Sequence, residues 1–309
     1  MTGNGEKTPL STQLGVVRAV RTSVLEIAYH ESGPPEGVPA VLLHGFPYDP
    51  LCYEAVAPTL AERGIRTIIP YLRGFGPTQF LESRAPRSGE QAALGNDLIE
   101  LIEALALDRP VVAGYDWGGR AACVASAVRP DLVRGLVSVG GYNLFGPPVT
   151  GPAAPELEHL LWYQYYLQMH RGRMMLNENR RGFCRLLWKL WSPTWDFTDD
   201  IFEKSAKSLD NPDFVEVVLH SYRHRSGMVP GDPALAELAD RLVVRPDITV
   251  PTIVLHGDAD IMPLAMSVDR SRFTGPYDRR ILSNVGHNPP QEAPELVIDA
   301  IAELAGIAA

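Results

Sequence analysis

Residues 110–128 constrain this chain more than any other segment. They open with PVVAGY, a short continuous apolar run, as expected of a strand buried on both faces. The run passes directly through Gly114-Tyr115-Asp116-Trp117-Gly118-Gly119 into a stretch of small residues, AACVASAV, which reads as a helix. Glycines on both sides of Asp116 let the backbone turn sharply, so that the central side chain stands above the C-terminal edge of a sheet. Such a strand–turn–helix unit needs parallel strands beside it and helices over both faces.

The flanking sequence supplies them. Residues 38–44 (VPAVLLH), 65–70 (IRTIIP) and 132–139 (LVRGLVSV) are further short apolar runs. Between them, 51–62 and 91–107 have helical spacing. Residues 14–30 alternate and fit an antiparallel pair at the sheet edge. From 144 to 232 the strand runs stop. Aromatic, basic, helical stretches replace them (LEHLLWYQYYLQM, RRGFCRLLWKLW, DFVEVVLHSYRHR). Strand and helix return at 248–256 (ITVPTIVLH), 279–283 and 294–304. The expected architecture is an α/β core in two parts, 1–143 and 233–309, with a mostly parallel sheet and helices on both faces. A helical cap, 144–232, is inserted between the parts, and inserts of this length usually carry function.

Composition narrows the class. A chain of 309 residues, 45% hydrophobic and 21% charged, is neither disordered nor fibrous. With 28 basic against 37 acidic residues it carries a net charge of −9, which disfavours nucleic acid and anionic lipid surfaces as partners. No run approaches the ~20 apolar residues of a membrane span, and the polar first thirteen residues lack the apolar core of a signal peptide. Cys52, Cys123 and Cys184 are an odd number without CxxC spacing, which argues against a disulfide framework or zinc site. The expectation is a reduced, cytoplasmic enzyme with no metal and no cofactor. The oligomeric state is left open, a homodimer included.

Asp116 in this context reads as a nucleophile. The bland alternative is an aspartate that only caps the helix behind it. Two later motifs favour chemistry: His256-Gly257-Asp258-Ala259-Asp260 after a strand, and Val285-Gly286-His287-Asn288 before the last helix. Acid then histidine, after the nucleophile, is the chain order of a hydrolase triad. His287 is the expected base. Asp260 is the expected acid, with Asp258 as the alternative. The fourth strand is followed by Gly141-Tyr142-Asn143, which offers no carboxylate there.

The motifs HGFP (44–47), RGFG (73–76), GYDWGG, HGDAD and VGHN, in this order, resemble the epoxide hydrolase branch of the α/β-hydrolase superfamily, an aspartate-nucleophile group related to haloalkane dehalogenases. The resemblance runs from about Gln13 to the final helix. It implies the α/β-hydrolase fold, with an oxyanion hole formed by the backbone amides of Phe46 and Trp117. It also implies two cap tyrosines that hold the epoxide oxygen. Tyr163, in YQYYLQ, and Tyr222, in SYR, match those positions, with Tyr165 and Tyr166 as further pocket tyrosines. His44 and Pro47 are expected beside the substrate pocket, His44 as a structural histidine holding its loop. The chain departs from the family at Tyr71, in PYLR, where aspartate is usual.

Side-chain carboxylates ionise well below neutral pH, so an aspartate nucleophile needs no base. Its attack on an ester would give a reactive anhydride. Attack on saturated carbon gives an alkyl ester, which water activated by His287–Asp260 hydrolyses. The expected partners are water and a small hydrophobic epoxide, converted to a vicinal diol. The alternative is a haloalkane or haloacid dehalogenase. Phe46, however, offers no side-chain donor where haloalkane dehalogenases often have asparagine, and Asp116-Trp117-Gly118 lacks the arginine-rich elbow of fluoroacetate dehalogenases. A non-catalytic ligand-binding member of the fold would be marked by a missing triad residue, and all three are present. Arg171, Arg173, Arg180, Arg181, Arg185 and Lys189 read as a solvated helix face.

Overall fold

The computed structural model describes residues 14–147, 151–261 and 269–307; the polar thirteen residues at the N-terminus lie outside them. Nine strands form one sheet among the described residues: β1 (Val17–Arg21), β2 (Leu25–Ser32), β3 (Val38–Leu43), β4 (Ile65–Pro70), β5 (Gln79–Phe80), β6 (Val111–Gly114), β7 (Gly135–Val139), β8 (Thr252–Gly257) and β9 (Tyr277–Leu282). Their order is β1-β2-β4-β3-β6-β7-β8-β9, with β5 paired to β2. β1 and β2 are antiparallel, as is β2 with β4, and all pairs from β4 to β9 are parallel.

The central strands are buried throughout because helices cover both faces. All four residues of β6 and all six of β8 are buried. α1 (Ala57–Glu62), α2 (Gln91–Ala104) and α3 (Asp116–Val128) follow β3, β5 and β6 in the chain. The expected helix over 51–62 is shorter than its spacing suggests. Pro58 lacks an N–H and is tolerated only in a first turn, so a 3₁₀ turn at Pro50–Tyr53 precedes α1. The outer strand β9 is half exposed and carries Asp278, Arg279 and Arg280, charges that discourage edge-to-edge pairing.

Between β7 and β8 come α4 (Pro155–Leu160), α5 (Trp162–Gln168), α6 (His170–Trp191), α7 (Asp199–Ala206), α8 (Phe214–Arg225) and α9 (Ala236–Val243); α10 (Pro289–Glu292) and α11 (Pro294–Ala305) close the chain. α6, α7 and the turn after α7 bind loops at the C-terminal ends of β3, β4 and β9. Trp188 donates its indole N–H to the Pro47 carbonyl at 3.1 Å. Asn211 donates to the carbonyls of Gly76 and Thr78 at 2.9 and 2.8 Å. The hydroxyls of Ser205 and Ser208 both donate to buried Asp49 at 2.7 Å. Trp188 also stacks on Tyr48, centroids 4.6 Å apart. These helices thus lie over the sheet edge where open α/β sheets bind ligands. Among the described residues, no helix is long and apolar enough to cross a membrane.

Candidate active site

β3 and β6 are parallel neighbours, with Leu43 beside Gly114, so the loop after β3 lies on the turn after β6. Asp116 sits in that turn at φ +48°, a left-handed conformation that is strained for a residue with a Cβ. The turn is also too tight for side chains on either side. A Cβ on Gly118 would lie 2.2 Å from the Leu43 carbonyl oxygen, and one on Gly114 2.5 Å from the Gly118 carbonyl.

Asp116 Oδ1 accepts a hydrogen bond from the Phe46 amide at 2.8 Å. Oδ2 faces Arg120 at 3.7 Å and His287 Nε2 at 3.9 Å. No side chain caps α3, so the carboxylate is turned towards the loop and the histidine rather than used as a helix cap. Among the described residues only Phe46 donates a backbone hydrogen bond to it. Trp117 stacks on Phe46 at 5.5 Å, and its amide is one of the first-turn N–H groups that have no partner within a helix.

β8 and β9 are also parallel neighbours. Beyond them the chains stay paired: Asp258 N donates to Leu282 O and Ala259 N to Val285 O, each at 3.0 Å. This brings Asp260 to His287, whose Nδ1 lies 3.1 Å from both carboxylate oxygens. Asp258 is turned away. It accepts from the Asn284 amide at 2.7 Å and the Ser283 hydroxyl at 3.3 Å, tying down the loop after β9. Burial pushes the His287 imidazole down, but the charge and hydrogen bond of Asp260 and the charge of Asp116 outweigh it, raising its pKa to about 9. The imidazole is therefore protonated at neutral pH.

Sequence reasoning missed the residue that organises this loop. Glu292 accepts from the amides of Gly286 (2.7 Å) and Asn288 (2.9 Å) and from the Ser192 hydroxyl (2.7 Å). Ser192 in turn accepts from the His287 amide at 3.0 Å.

A cavity of about 150 Å³ lies beside these groups, and Asp116, Asp260, His287 and Tyr163 line it. Tyr222 packs edge-on against Tyr163, centroids 5.5 Å apart, and against Phe46 at 5.6 Å. Its buried hydroxyl has no partner among the described residues. The Tyr163 hydroxyl accepts from the Gln164 side chain at 3.1 Å. Burial, with the Asp116 charge adding to it, raises both phenols above their ordinary pKa, so both keep their protons.

Tyr222 itself is not among the residues that line this cavity, and neither are four others expected in the pocket. His44 is fully buried beneath the loop, its Nε2 accepting from the Leu72 amide at 3.1 Å and its Nδ1 3.0 Å from the Gly45 carbonyl. Burial pushes it down to about 4, so it is a neutral loop anchor. Pro47 meets Trp188 instead. Tyr165, two positions from Tyr163, falls on the opposite face of α5; it is 53% exposed and bonds Glu158. Tyr166 packs against Trp162 and Phe183. Tyr71 is also elsewhere, its hydroxyl 3.0 Å from His30 Nε2. Arg73 of the RGFG motif is structural, with both nitrogens of its fork 2.6 Å from buried Asp97 and a third donating to the Ser88 carbonyl at 2.7 Å. Cavity residues the sequence did not single out are Asn143, Phe145, Gln164 and two arginines, Arg120 and Arg225.

Comparison with known proteins identifies the fold family. A crystal structure of "a putative epoxide hydrolase" from Klebsiella pneumoniae subsp. pneumoniae is 40% identical and superposes with a TM-score of 0.90, covering 94% of this chain and 97% of that one. The soluble epoxide hydrolase of Corynebacterium sp. (strain C12) is 28% identical over 276 residues, 85% of this chain and 88% of the relative. A haloalkane dehalogenase from Mycobacterium marinum is 30% identical over 138 residues, 43% of this chain and 44% of that protein. The family model for the alpha/beta hydrolase fold matches residues 39–289, and the chain belongs to that family.

Proposed function

We propose that this protein is an epoxide hydrolase, with Asp116 as nucleophile, His287 and Asp260 as base and orienting acid, and residues 144–232 as its cap. Asp116 Oδ2 attacks an epoxide carbon. The carbon–oxygen bond breaks, and the alkoxide takes a proton from Tyr163 or Tyr222. The phenolate is reprotonated at the expense of the His287 imidazolium. The product of this half-reaction is an alkyl ester on Asp116 with a neutral His287 beside it.

The neutral imidazole then takes a proton from water, oriented by its Nδ1–H bond to Asp260. The hydroxide attacks the ester carbon. Oδ1, already held by the Phe46 amide, becomes the oxyanion, with the Trp117 amide as second donor. Collapse releases a vicinal diol and restores the carboxylate and imidazolium. The net reaction is epoxide plus water to diol.

The observation that supports epoxide opening over other chemistry on saturated carbon is a pair of buried, protonated phenols, Tyr163 lining the cavity with Asp116 and Tyr222 packed against Tyr163 and Trp117. An epoxide oxygen needs a proton donor and a halide does not. One feature favours a second reading, halide release: the buried Trp117 indole N–H has no partner among the described residues.

Tyrosine-to-phenylalanine variants separate the two. Losing one such donor costs about 10²–10³ in rate, and two donors on one oxygen partly cover for each other. The double variant Tyr163→Phe/Tyr222→Phe should lose nearly all alkylation of Asp116 by styrene oxide, measured by rapid quench and mass spectrometry. Near-native alkylation in that variant would leave halide release as the better reading.

A further inference from the structure

The cavity beside Asp116 contains more positive charge than an apolar epoxide calls for. Arg120, in the first turns of α3, and Arg225, the last residue of α8, both line it. Phe145 stands between them, its ring centroid 4.7 Å from the Arg120 guanidinium carbon and 3.7 Å from that of Arg225.

The only carboxylate paired with Arg120 among the described residues is the nucleophile itself, at 3.7 Å, too long for a hydrogen bond. Arg225, partly exposed, makes no ion pair and donates no hydrogen bond among the described residues. Burial and the Arg120 charge lower its pKa to about 10, where it remains cationic.

Glu90, which lines a smaller adjoining cavity with both arginines, is already engaged. It accepts from the Ser88 hydroxyl at 2.8 Å and the Asp232 amide at 2.6 Å, and lies 3.4 Å from His224. Among the groups that line the catalytic cavity, Asp116 and Asp260 face Arg120, Arg225 and protonated His287, and the Glu90 carboxylate lies beside the same arginines in the adjoining cavity. Guanidinium donors that face a cavity and bond no protein group are free to receive an anion.

We propose, resting on the epoxide-hydrolase reading above, that the substrate is an acidic epoxide whose carboxylate is held by Arg225 and Arg120. The planar fork of a guanidinium matches a carboxylate, and this contact would orient the oxirane towards Asp116 Oδ2. Phe145 would hold the two cations in place.

Glycidate and glycidamide test this, because they share the oxirane and nearly the same size but differ by one charge. Steady-state kcat and KM are measured on both for native enzyme, Arg225→Gln and Arg225→Lys, each checked by thermal melting. The native enzyme should prefer glycidate by about 10–100-fold in kcat/KM, chiefly through KM. That ratio should approach one in Arg225→Gln and partly recover in Arg225→Lys. Equal use of the two compounds by native enzyme, or an Arg225→Gln variant that loses both in proportion, overturns the proposal.

Calorimetric binding of the product acid, glycerate, gives a readout that needs no turnover. If no epoxide is hydrolysed, the epoxide reading fails. Glycerate binding that is lost in Arg225→Gln would then still support an anion site, as would turnover of a haloacid; absence of glycerate binding to native enzyme would overturn it.

Discussion

In the proposed mechanism the charge on Asp116 controls whether His287 acts as an acid or a base, and a single substitution tests this. Asp116→Asn keeps the shape of the side chain and removes its charge, as esterification would. A unit charge 3.9 Å from Nε2 is worth roughly 4 kcal/mol at an effective dielectric of about 20, or at most about 3 pKa units. Asp260 remains 3.1 Å from Nδ1 in either case and limits the fall. His287, at about 9 with Asp116 charged, should drop by about one to three units in the variant, to near or below neutrality at the full shift. The assay is an NMR titration of ¹³C-labelled histidine in native and Asp116→Asn protein. A His287→Gln sample assigns the signal among the eight histidines. A shift of less than about half a unit would refute the coupling, and with it the argument that alkylation itself releases the base for the second half-reaction.

Three further outcomes follow from the same geometry. Arg73→Met strands Asp97 in a buried site without its bidentate partner, so urea unfolding should show a loss of about 3–5 kcal/mol, much of it recovered in Arg73→Met/Asp97→Leu; equal losses in the single and double variants would mean the pair's charge is irrelevant. Burial lifts the Asp49 carboxyl to about 7, despite the hydroxyls of Ser205 and Ser208. A folded-state value above the unfolded one gives stability that is present below about pH 4 and lost as pH rises through about 7. Asp49→Asn should flatten that slope, and parallel stability–pH curves for variant and native would contradict it. Gly118→Ala forces a Cβ to 2.2 Å from the Leu43 carbonyl and should destabilise the fold by about 3 kcal/mol or more; a native melting temperature would show that the turn has slack.

What could be read from the sequence, and what could not, divides along the range of the interactions. The turn at Asp116 was legible because strand, glycines and small-residue helix are contiguous, and their constraints act within a few residues. Asp260 was expected over Asp258 from its place in the loop, but its contact with His287 rests on the parallel pairing of β8 with β9, which carries the two loops forward together. The pocket tyrosines were only partly legible. A stripe of aromatics does not say which one faces inward, and Tyr165 points to solvent. The arginines were least legible. The sequence draws the eye to the basic run on α6, yet Arg173 pairs with Glu216, Arg181 with Glu203 and Asp210, and Arg185 with Asp199. A cation's effect depends on whether the fold brings it a carboxylate, and a sequence counts charges without pairing them. Arg120 and Arg225 lie far apart in the chain and meet only across Phe145. They face the cavity beside Asp116, while Arg173, Arg181 and Arg185 on α6 are paired with carboxylates at the surface, and this placement, which no local sequence pattern shows, is the ground on which an acidic substrate is proposed.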